Sequence, residues 1–249
     1  MKTRKYILIG PVLLISAWAV VAQLGLIDKF FLPDPFTTIG KLAELVWGGA
    51  ILADLISTLE RVILAFIIAL VVGLPLGLLL GRSEKTYQSF EFIIDFFRST
   101  PATALFPLFL LIFGITDKSK IAVAAFASML LIIIKTAYGV MHAKKSRVLA
   151  AKIMGATKTQ IFRWILFWES LPQTFIGLRS AISMSLVIIV VTEMFIGTTS
   201  GLGRKIIDSQ ITYEIPTMYA VIFLTGIIGY LLNLLFIMIE KRFLHWSGK

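Results

Sequence analysis

Cysteine is absent from the chain, and only two of its 249 residues are histidines. The absence of cysteine excludes a disulfide framework, a thiolate metal site and a cysteine nucleophile. The two histidines, His142 and His245, lie far apart in the sequence and each stands near basic residues. We therefore expect no metal site in this chain, since a metal ion is bound by several ligand side chains that lie close together.

Charged residues are scarce as well. They make up 15% of the chain, while 58% of its residues are hydrophobic; a soluble domain averages about 25% charged and about 45–50% apolar residues. The mean hydropathy is +0.91. This composition predicts an integral membrane protein, and too little polar sequence remains outside the apolar runs to form a soluble domain.

Long apolar runs recur along the chain, and a helix needs about 20 such residues to cross the hydrocarbon core. Pro101 and Pro107 predict kinks in the third run. The first run follows MKTRKY, which is similar to the start of a signal peptide, but we predict an uncleaved span because the run continues well beyond it. The predicted fold class is all-α, a polytopic membrane protein with one transmembrane domain and about six helices. The predicted spans are 6–27, 62–80, 96–115, 121–137, 175–196 and 218–239.

The net charge is +10, which has two explanations. A nucleic-acid binder would carry such a charge for phosphate contacts, and cytoplasmic loops of membrane proteins are rich in Lys and Arg. With the N-terminus inside, most basic residues fall on one side of the membrane, Arg98 among them. The distribution therefore predicts cytoplasmic termini and no nucleic-acid partner.

The loop 144–172 interrupts the apolar runs with a basic, half-apolar stretch. Gly155 is suited to the left-handed position after a short helix, and Thr157-x-x-Gln160 predicts a capping box at the start of a second one. A single apolar face of the second helix is predicted to carry Ile161, Trp164, Ile165 and Trp168. This face is too apolar for DNA readout, which leaves a docking element for a soluble partner or an interfacial helix pair that only connects two spans.

The same loop resembles the "EAA" loop of permease subunits of binding-protein-dependent ABC importers. The matching residues are Ala150, Ala151, Gly155, Ala156, Ile161, Phe162, Arg163, Leu171, Pro172, Gly177, Leu178 and Arg179. Leu149 stands where that family has Glu. Further motifs follow the order of the nitrate/sulfonate/taurine-type branch: LPDP (32–35), Leu59-Glu60-Arg61-Val62, GLPLGLLLGRS (73–83), RSTPATALFPLFLLIFGI (98–115), Glu193-Met194 and Gly201-Leu202-Gly203.

The resemblance implies a type I ABC importer permease fold and a transport subunit that is not itself an enzyme. Its partners would be two ABC ATPase subunits, an extracytoplasmic solute-binding protein and a second permease copy, expected to form a homodimer. ATP and Mg would be bound by the ATPase, so no cofactor is expected in this chain. The expected location is the inner or plasma membrane of a prokaryote, in contact with lipid. The ATPase-coupling residues implied are Ala150, Ala151, Gly155, Ala156, Thr157, Ile161, Phe162 and Arg163.

Within the predicted spans, Glu193 is the one clearly placed acid. Intramembrane carboxylates usually face a cavity or a partner group, so Glu193 is a candidate gate or path residue, or else an ion-pair partner that fixes helix packing. Ser185 and Thr192 on the same span are candidates to line a polar path, or small residues that allow close packing. The competing hypothesis for the whole chain is a membrane-anchored regulator or scaffold that binds a soluble partner through 149–172.

Overall fold

A computed structural model describes residues 9–195 and 197–244, and all regular secondary structure in them is helical. A 3₁₀ turn, Ala102–Leu105, precedes α5, and a π-helical turn, Phe162–Leu166, joins α8 to α9. The α-helices are α1 (Ile9–Gln23), α2 (Pro35–Trp47), α3 (Leu52–Gly81), α4 (Glu84–Ser99), α5 (Phe106–Phe113), α6 (Asp117–Met141), α7 (Lys145–Ile153), α8 (Lys158–Ile161), α9 (Phe167–Glu193), α10 (Leu202–Ile211) and α11 (Ile215–Phe243).

Helices α3 and α6 run parallel in close contact because α3 carries glycine at every fourth position of this face. A Cβ added at Gly73 would lie 3.2 Å from the Cβ of Ile132, and one at Gly77 would lie 2.7 Å from the Cβ of Thr136. Small residues let backbones approach within a membrane, where dispersion contacts replace the hydrophobic effect between helices. The glycine spacing therefore fixes the register of the two helices.

Helix α9 packs antiparallel against α6. Ser128 of α6 donates a hydrogen bond to the carbonyl of Ala181 at 3.1 Å, and its hydroxyl lies 2.7 Å from that of Ser185. Further along, a Cβ at Gly139 would meet the Ser170 carbonyl at 2.8 Å. The three long helices α3, α6 and α9 thus form one core that runs the length of the bundle.

Among residues 9–195 and 197–244, four helical segments are long and apolar enough to cross a membrane: α3, α6, α11 and the continuous segment Lys158–Glu193. The predicted span 96–115 is not straight, because the segments Glu84–Ser99 and Ala102–Phe113 meet at 88° and make a fifth span only when taken together. Pro101 lacks an N–H and disfavours the helical region for Thr100, whose backbone is extended at φ −78° and ψ 124°.

The first predicted span, 6–27, coincides with α1, which has 15 residues and is shorter than the about 20 needed to cross. Its predicted residues 6–8 lie outside the described residues, as does Ile196 at the end of the predicted span 175–196. By length and composition, the described residues hold four or five candidate spans, where the sequence predicted about six.

The LPDP turn starts α2. Asp34 is its N-cap and accepts hydrogen bonds from the backbone N–H groups of Phe36 and Thr37, and the indole N–H of Trp18 donates to the Pro33 carbonyl at 3.0 Å. Hydrogen bonds from the hydroxyl and the N–H of Thr37 hold the pKa of Asp34 below its ordinary value. Helix α2 is therefore capped by its own turn and tied to α1.

We predict that Gly77→Ala lowers the unfolding temperature of the detergent-purified protein. The new methyl group would lie 2.9 Å from the Ile133 carbonyl oxygen as well as against Thr136, so α3 and α6 must separate, at a cost of about 1–3 kcal/mol for overpacking. Gly226→Ala in α11 is the matched control, because its methyl group meets no described atom within 4 Å. Equal unfolding temperatures for the two variants would contradict the close α3–α6 contact.

Candidate functional site

The loop 144–172 leaves the bundle as α7 and turns back at Gly155. This residue has φ +78°, and its N–H donates to the Lys152 carbonyl at 3.0 Å, while the N–H of Ala156 reaches the Ala151 carbonyl at 3.0 Å. The predicted left-handed glycine is confirmed. No described atom lies within 4 Å of a Cβ built at Gly155, so the turn is open to a partner.

The predicted capping box is also confirmed. Thr157 accepts from the N–H of Gln160 at 3.3 Å, and the Gln160 side chain accepts from the N–H of Thr157 at 2.7 Å. Helix α8 then continues through the π-helical turn directly into α9. The second short helix is therefore the start of a long helix and not a separate element.

Three of the four residues predicted to share one apolar face, Ile161, Trp164 and Ile165, line a single groove, and Trp168 does not line it. Ile161 is buried, whereas Trp164 is 74% exposed and Trp168 is 50% exposed. A π-helical turn inserts an additional residue per turn, so Trp168, which follows the turn, no longer shares the face of Ile161, which precedes it. The two tryptophans therefore point away from the bundle, where they are available to a partner or an interface.

A groove of about 420 Å³ lies on this exposed surface. Four of the eight predicted coupling residues line it, namely Ala151, Gly155, Ala156 and Ile161. Of the other four, Ala150, Thr157 and Arg163 are exposed, and the Phe162 ring lies 4.8 Å beneath the guanidinium of Arg82. The remaining residues that line the groove are Met154, Gln160, Trp164 and Ile165.

Glu169 ties α7 to α9, a contact that sequence reasoning missed. Its carboxylate forms an ion pair with Arg147 and accepts from the N–H of Lys144 at 3.5 Å, at the start of α7. The Glu169 side chain is only 12% exposed, and a carboxylate is stabilised at a helix N-terminus. Helix α7 is therefore held to α9 through this pair as well as through the chain.

At the far end of α9, Glu193 is fully buried and has three donors. It accepts from the Arg61 guanidinium at 2.6 Å, the Thr58 hydroxyl at 2.9 Å and the N–H of Gly203 at 3.0 Å. In this structure Glu193 therefore has the contacts of an ion-pair partner, the second of the two roles considered for it from the sequence. A buried carboxylate is stable only when paired and hydrogen-bonded in this way.

Arg61 connects Glu193 to α6. Its Nε lies 3.0 Å from an oxygen of Asp117, which also pairs with Lys120 at 2.9 Å, and its guanidinium donates to the Ser200 carbonyl at 2.7 Å. Two cations and two carboxylates thus neutralise one another where α3, α6 and α9 meet. We call this group the Arg61–Glu193 cluster; its members are Thr58, Arg61, Asp117, Lys120 and Glu193.

The Gly201-Leu202-Gly203 motif closes over this cluster. A Cβ at Gly201, which has φ +132°, would lie 2.4 Å from the Glu193 carboxyl carbon, and one at Gly203 would lie 2.0 Å from the Val190 carbonyl oxygen. The N–H of Gly201 donates to Asp54 at 2.7 Å. Only glycine therefore fits at these two positions. The contacts also bring the 201–203 motif against Glu193 of the Glu193-Met194 motif.

Ser185 and Thr192 are buried and bonded within the bundle. The Ser185 hydroxyl meets Ser128, and the Thr192 hydroxyl donates to the Ile189 carbonyl at 2.9 Å. Their contacts are those of packing residues. Within residues 9–195 and 197–244, no three His, Asp or Glu side chains lie close enough together to hold a metal ion.

One uninterrupted helix joins the two regions. Helix α9 has 27 residues, which at about 1.5 Å per residue make roughly 40 Å. The groove and the Glu169 tether lie at its start and Glu193 at its end. The arrangement can therefore carry a displacement across the whole bundle.

We predict that Arg61→Gln and Glu193→Gln are each strongly destabilising and that their effects are not additive. Removing one partner leaves a buried charge unpaired, which costs about 3–5 kcal/mol, whereas removing both costs less than the sum. Thermal unfolding of the two single variants and the double variant in detergent measures the coupling. Asp208→Asn is the control, since its pair with Arg204 is about 40% exposed and is worth about 0–1 kcal/mol. Additive single effects would contradict the buried pair.

Comparison with known protein families gives a match over residues 73–245, more than half of the chain, to the model described as "Binding-protein-dependent transport system inner membrane component". Among curated relatives, the chain is 27% identical over 247 residues to the putative aliphatic sulfonates transport permease SsuC of Bacillus subtilis, covering 97% of this chain and 87% of the relative. It is 28% identical over 241 residues to the taurine transport system permease TauC of Escherichia coli, covering 95% and 87%.

A third relative is the nitrate import permease NrtB of Synechocystis, 31% identical over 177 residues, which covers 71% of this chain and 64% of that protein. Among solved structures, the inward-facing MetNI methionine ABC transporter matches with a TM-score of 0.65 and 23% identity over 75% of this chain and 92% of the matched chain. The fold is thus that of type I importer permeases. The chain therefore belongs to the family of inner membrane components of binding-protein-dependent transport systems and is a permease subunit of an ABC importer.

Proposed function

We propose that two identical copies of this permease form the membrane path of the importer, with two ATPase subunits and an extracytoplasmic solute-binding protein. The observation that carries the proposal is the exposed groove around Gly155 at the start of a helix that ends at the Arg61–Glu193 cluster. A groove with a sharp glycine turn and exposed apolar side chains suits a protein partner. The ATPase fits this groove because it must act on the permease from the cytoplasmic side.

In this proposal the ATPase holds ATP and Mg, and this chain supplies the mechanical link. The stretch GTTSGLGRK (197–205) lacks the Gly-x₄-Gly-Lys-Ser/Thr spacing of a phosphate loop. Its glycines have another role here, the approach to Glu193. The coupling residues are Ala150, Ala151, Gly155, Ala156, Thr157, Ile161, Phe162 and Arg163.

The proposed topology has both termini in the cytoplasm and the six spans predicted from the sequence within one domain, 1–249. The distribution of Lys and Arg supports it. With this orientation, the coupling segment faces the ATPase and the Arg61–Glu193 cluster faces the binding protein. Closure of the ATPases then moves α7 and α8, α9 passes the movement on, and the path opens alternately to each side.

The proposed solutes are small anions or zwitterions like those named for the relatives, aliphatic sulfonates, taurine or nitrate, with a small heterocyclic precursor as the other class. Glu193 does not bind such an anion, because its carboxylate would repel it and its oxygens are already occupied by donors. Its role is to keep the ends of α3, α6, α9 and α10 together as a gate element. The scaffold hypothesis is not favoured, since the relatives are transport permeases.

We expect Gly155→Asp to abolish co-purification of the ATPase with the tagged permease from native membranes in mild detergent. The side chain would enter the open groove and strain the left-handed turn. Gly25→Asp is the matched control: Gly25 has φ +64° and no described atom within 4 Å of its Cβ, but lies far from the groove.

Strain alone would affect both variants, so loss of the ATPase only from Gly155→Asp assigns the effect to docking. Membrane insertion of both variants is checked by their abundance in washed membranes. If Gly155→Asp still brings down as much ATPase as the parent, the coupling assignment is wrong.

A further inference from the structure

The break between α4 and the 3₁₀ turn lies beside the middle of α6. Phe126 of α6 contacts Phe97 on one side of the break at 5.2 Å between ring centroids and Phe109 on the other at 6.1 Å. At about 1.5 Å per residue, Phe126 lies roughly 8 Å from the start of the predicted span 121–137 and roughly 17 Å from its end. The break that Phe126 contacts therefore lies within the predicted hydrocarbon core and not at its boundary.

A charged pair stands at this break. Arg98 and Asp95 form an ion pair at 3.0 Å between Nη2 and Oδ1, and their side chains are 56% and 52% exposed. Charged side chains at this depth are costly in lipid and face a water-filled cavity or a protein partner. The surface that carries Arg98 is therefore not a lipid-facing one, although the sequence alone had counted Arg98 among the basic residues of the cytoplasmic side.

A cavity of about 290 Å³ opens beside Arg98, near the lower end of the about 300–1,000 Å³ typical of small-molecule sites. The break contributes three polar side chains among apolar ones, and the lining residues from α6 and α9 are all apolar. Lining residues include Arg98, Thr100, Thr103, Leu130, Leu131 and Met184. Discontinuous helices at the midplane are where transporters place solute sites.

We propose that this cavity is a solute site on the translocation path and that Arg98 attracts the oxyanion group of the solute there. The inference rests on the proposed function and adds to it a binding place for the solute and a residue that contacts it. The guanidinium has five N–H donors, and Asp95 takes only part of this capacity, so a sulfonate or nitrate oxygen can bind beside the existing pair. In a zwitterion such as taurine, the ammonium group would meet Asp95.

The chain has no cysteine, so a single introduced thiol tests the proposal cleanly. In membrane vesicles holding the complete transporter, Thr103→Cys is reacted with two reagents of similar size, the anionic sulfonatoethyl methanethiosulfonate and the cationic trimethylammonioethyl methanethiosulfonate. We expect both reagents to modify the thiol, because the charged Arg98 beside it requires access to water within the membrane. Leu111→Cys, 86% exposed on α5, is the lipid-facing control and should stay unmodified.

The charge of Arg98 is tested in the Thr103→Cys background. Arg98→Gln should lower the rate with the sulfonate reagent about fivefold, the factor expected for one charge at about 4 Å in water, and should not lower the rate with the cationic reagent. Arg98→Lys should keep most of the sulfonate rate, and Asp95→Asn should raise it.

If the thiol at 103 reacts no faster than the thiol at 111, the aqueous site is wrong. If Arg98→Gln leaves the reaction rate with the sulfonate reagent unchanged, the role of Arg98 is wrong. Neither result depends on solute uptake. Co-purification of the ATPase is measured on the same membranes, so failure of this inference is distinguishable from failure of the proposed function.

Discussion

The buried pair of Arg61 and Glu193 is the interaction on which the rest of the structure depends. The side chains are 7% and 0% exposed, so each charge would be unstable without the other. Arg61 belongs to α3, Glu193 to α9, and Asp117, which also pairs with Arg61, to α6. Because these charges must pair with one another, the ends of the three long helices that carry them must lie at one place. The glycine motif 201–203 follows from the same requirement, since any side chain there would collide with Glu193 or with the α9 backbone. Electrostatics at one place thus determines the position of four elements.

Close packing extends this constraint along the bundle. Glycines on α3 and α6 bring backbones into contact and leave little free space between the helices. A packed interface of this kind has discrete arrangements and does not deform continuously. We therefore expect helix α9 to move as a unit. The proposed coupling depends on this rigidity, together with the Glu169 contact that links α7 to the same helix.

Local features were predictable from the sequence, and features that depend on distant contacts were not. The left-handed Gly155 and the Thr157–Gln160 box need only neighbouring residues, and both predictions are confirmed. The partner of Glu193 lies 132 positions away. Hydropathy does not show which spans pair with one another, although Arg61 directly precedes the predicted span 62–80 and Glu193 lies near the end of the predicted span 175–196.

Backbone irregularities account for the other differences. Pro101 predicted a kink, but the 88° bend at the break also depends on how α4 and α5 pack against Phe126. The π-helical turn at 162–166 separates Trp168 from the groove that Ile161, Trp164 and Ile165 line. Neither the size of a bend nor a single wide turn is encoded in hydrophobic periodicity, so the sequence identified the segments but not their directions.

The central claim, that displacement of the coupling segment reaches the Arg61–Glu193 end through α9, can be measured directly by pulsed electron paramagnetic resonance. A spin label at Gln210→Cys, an exposed position on α10 in a chain without other cysteines, reports the distance between the two permease copies of the reconstituted transporter. The account predicts that trapping the ATPases with ATP and vanadate shifts this distance in the parent. It also predicts that the shift is lost in a variant in which Glu169→Gln removes the tether and Trp164→Ala reduces the groove contact. A shift that persists unchanged in that variant, or no shift in the parent, would contradict the claim.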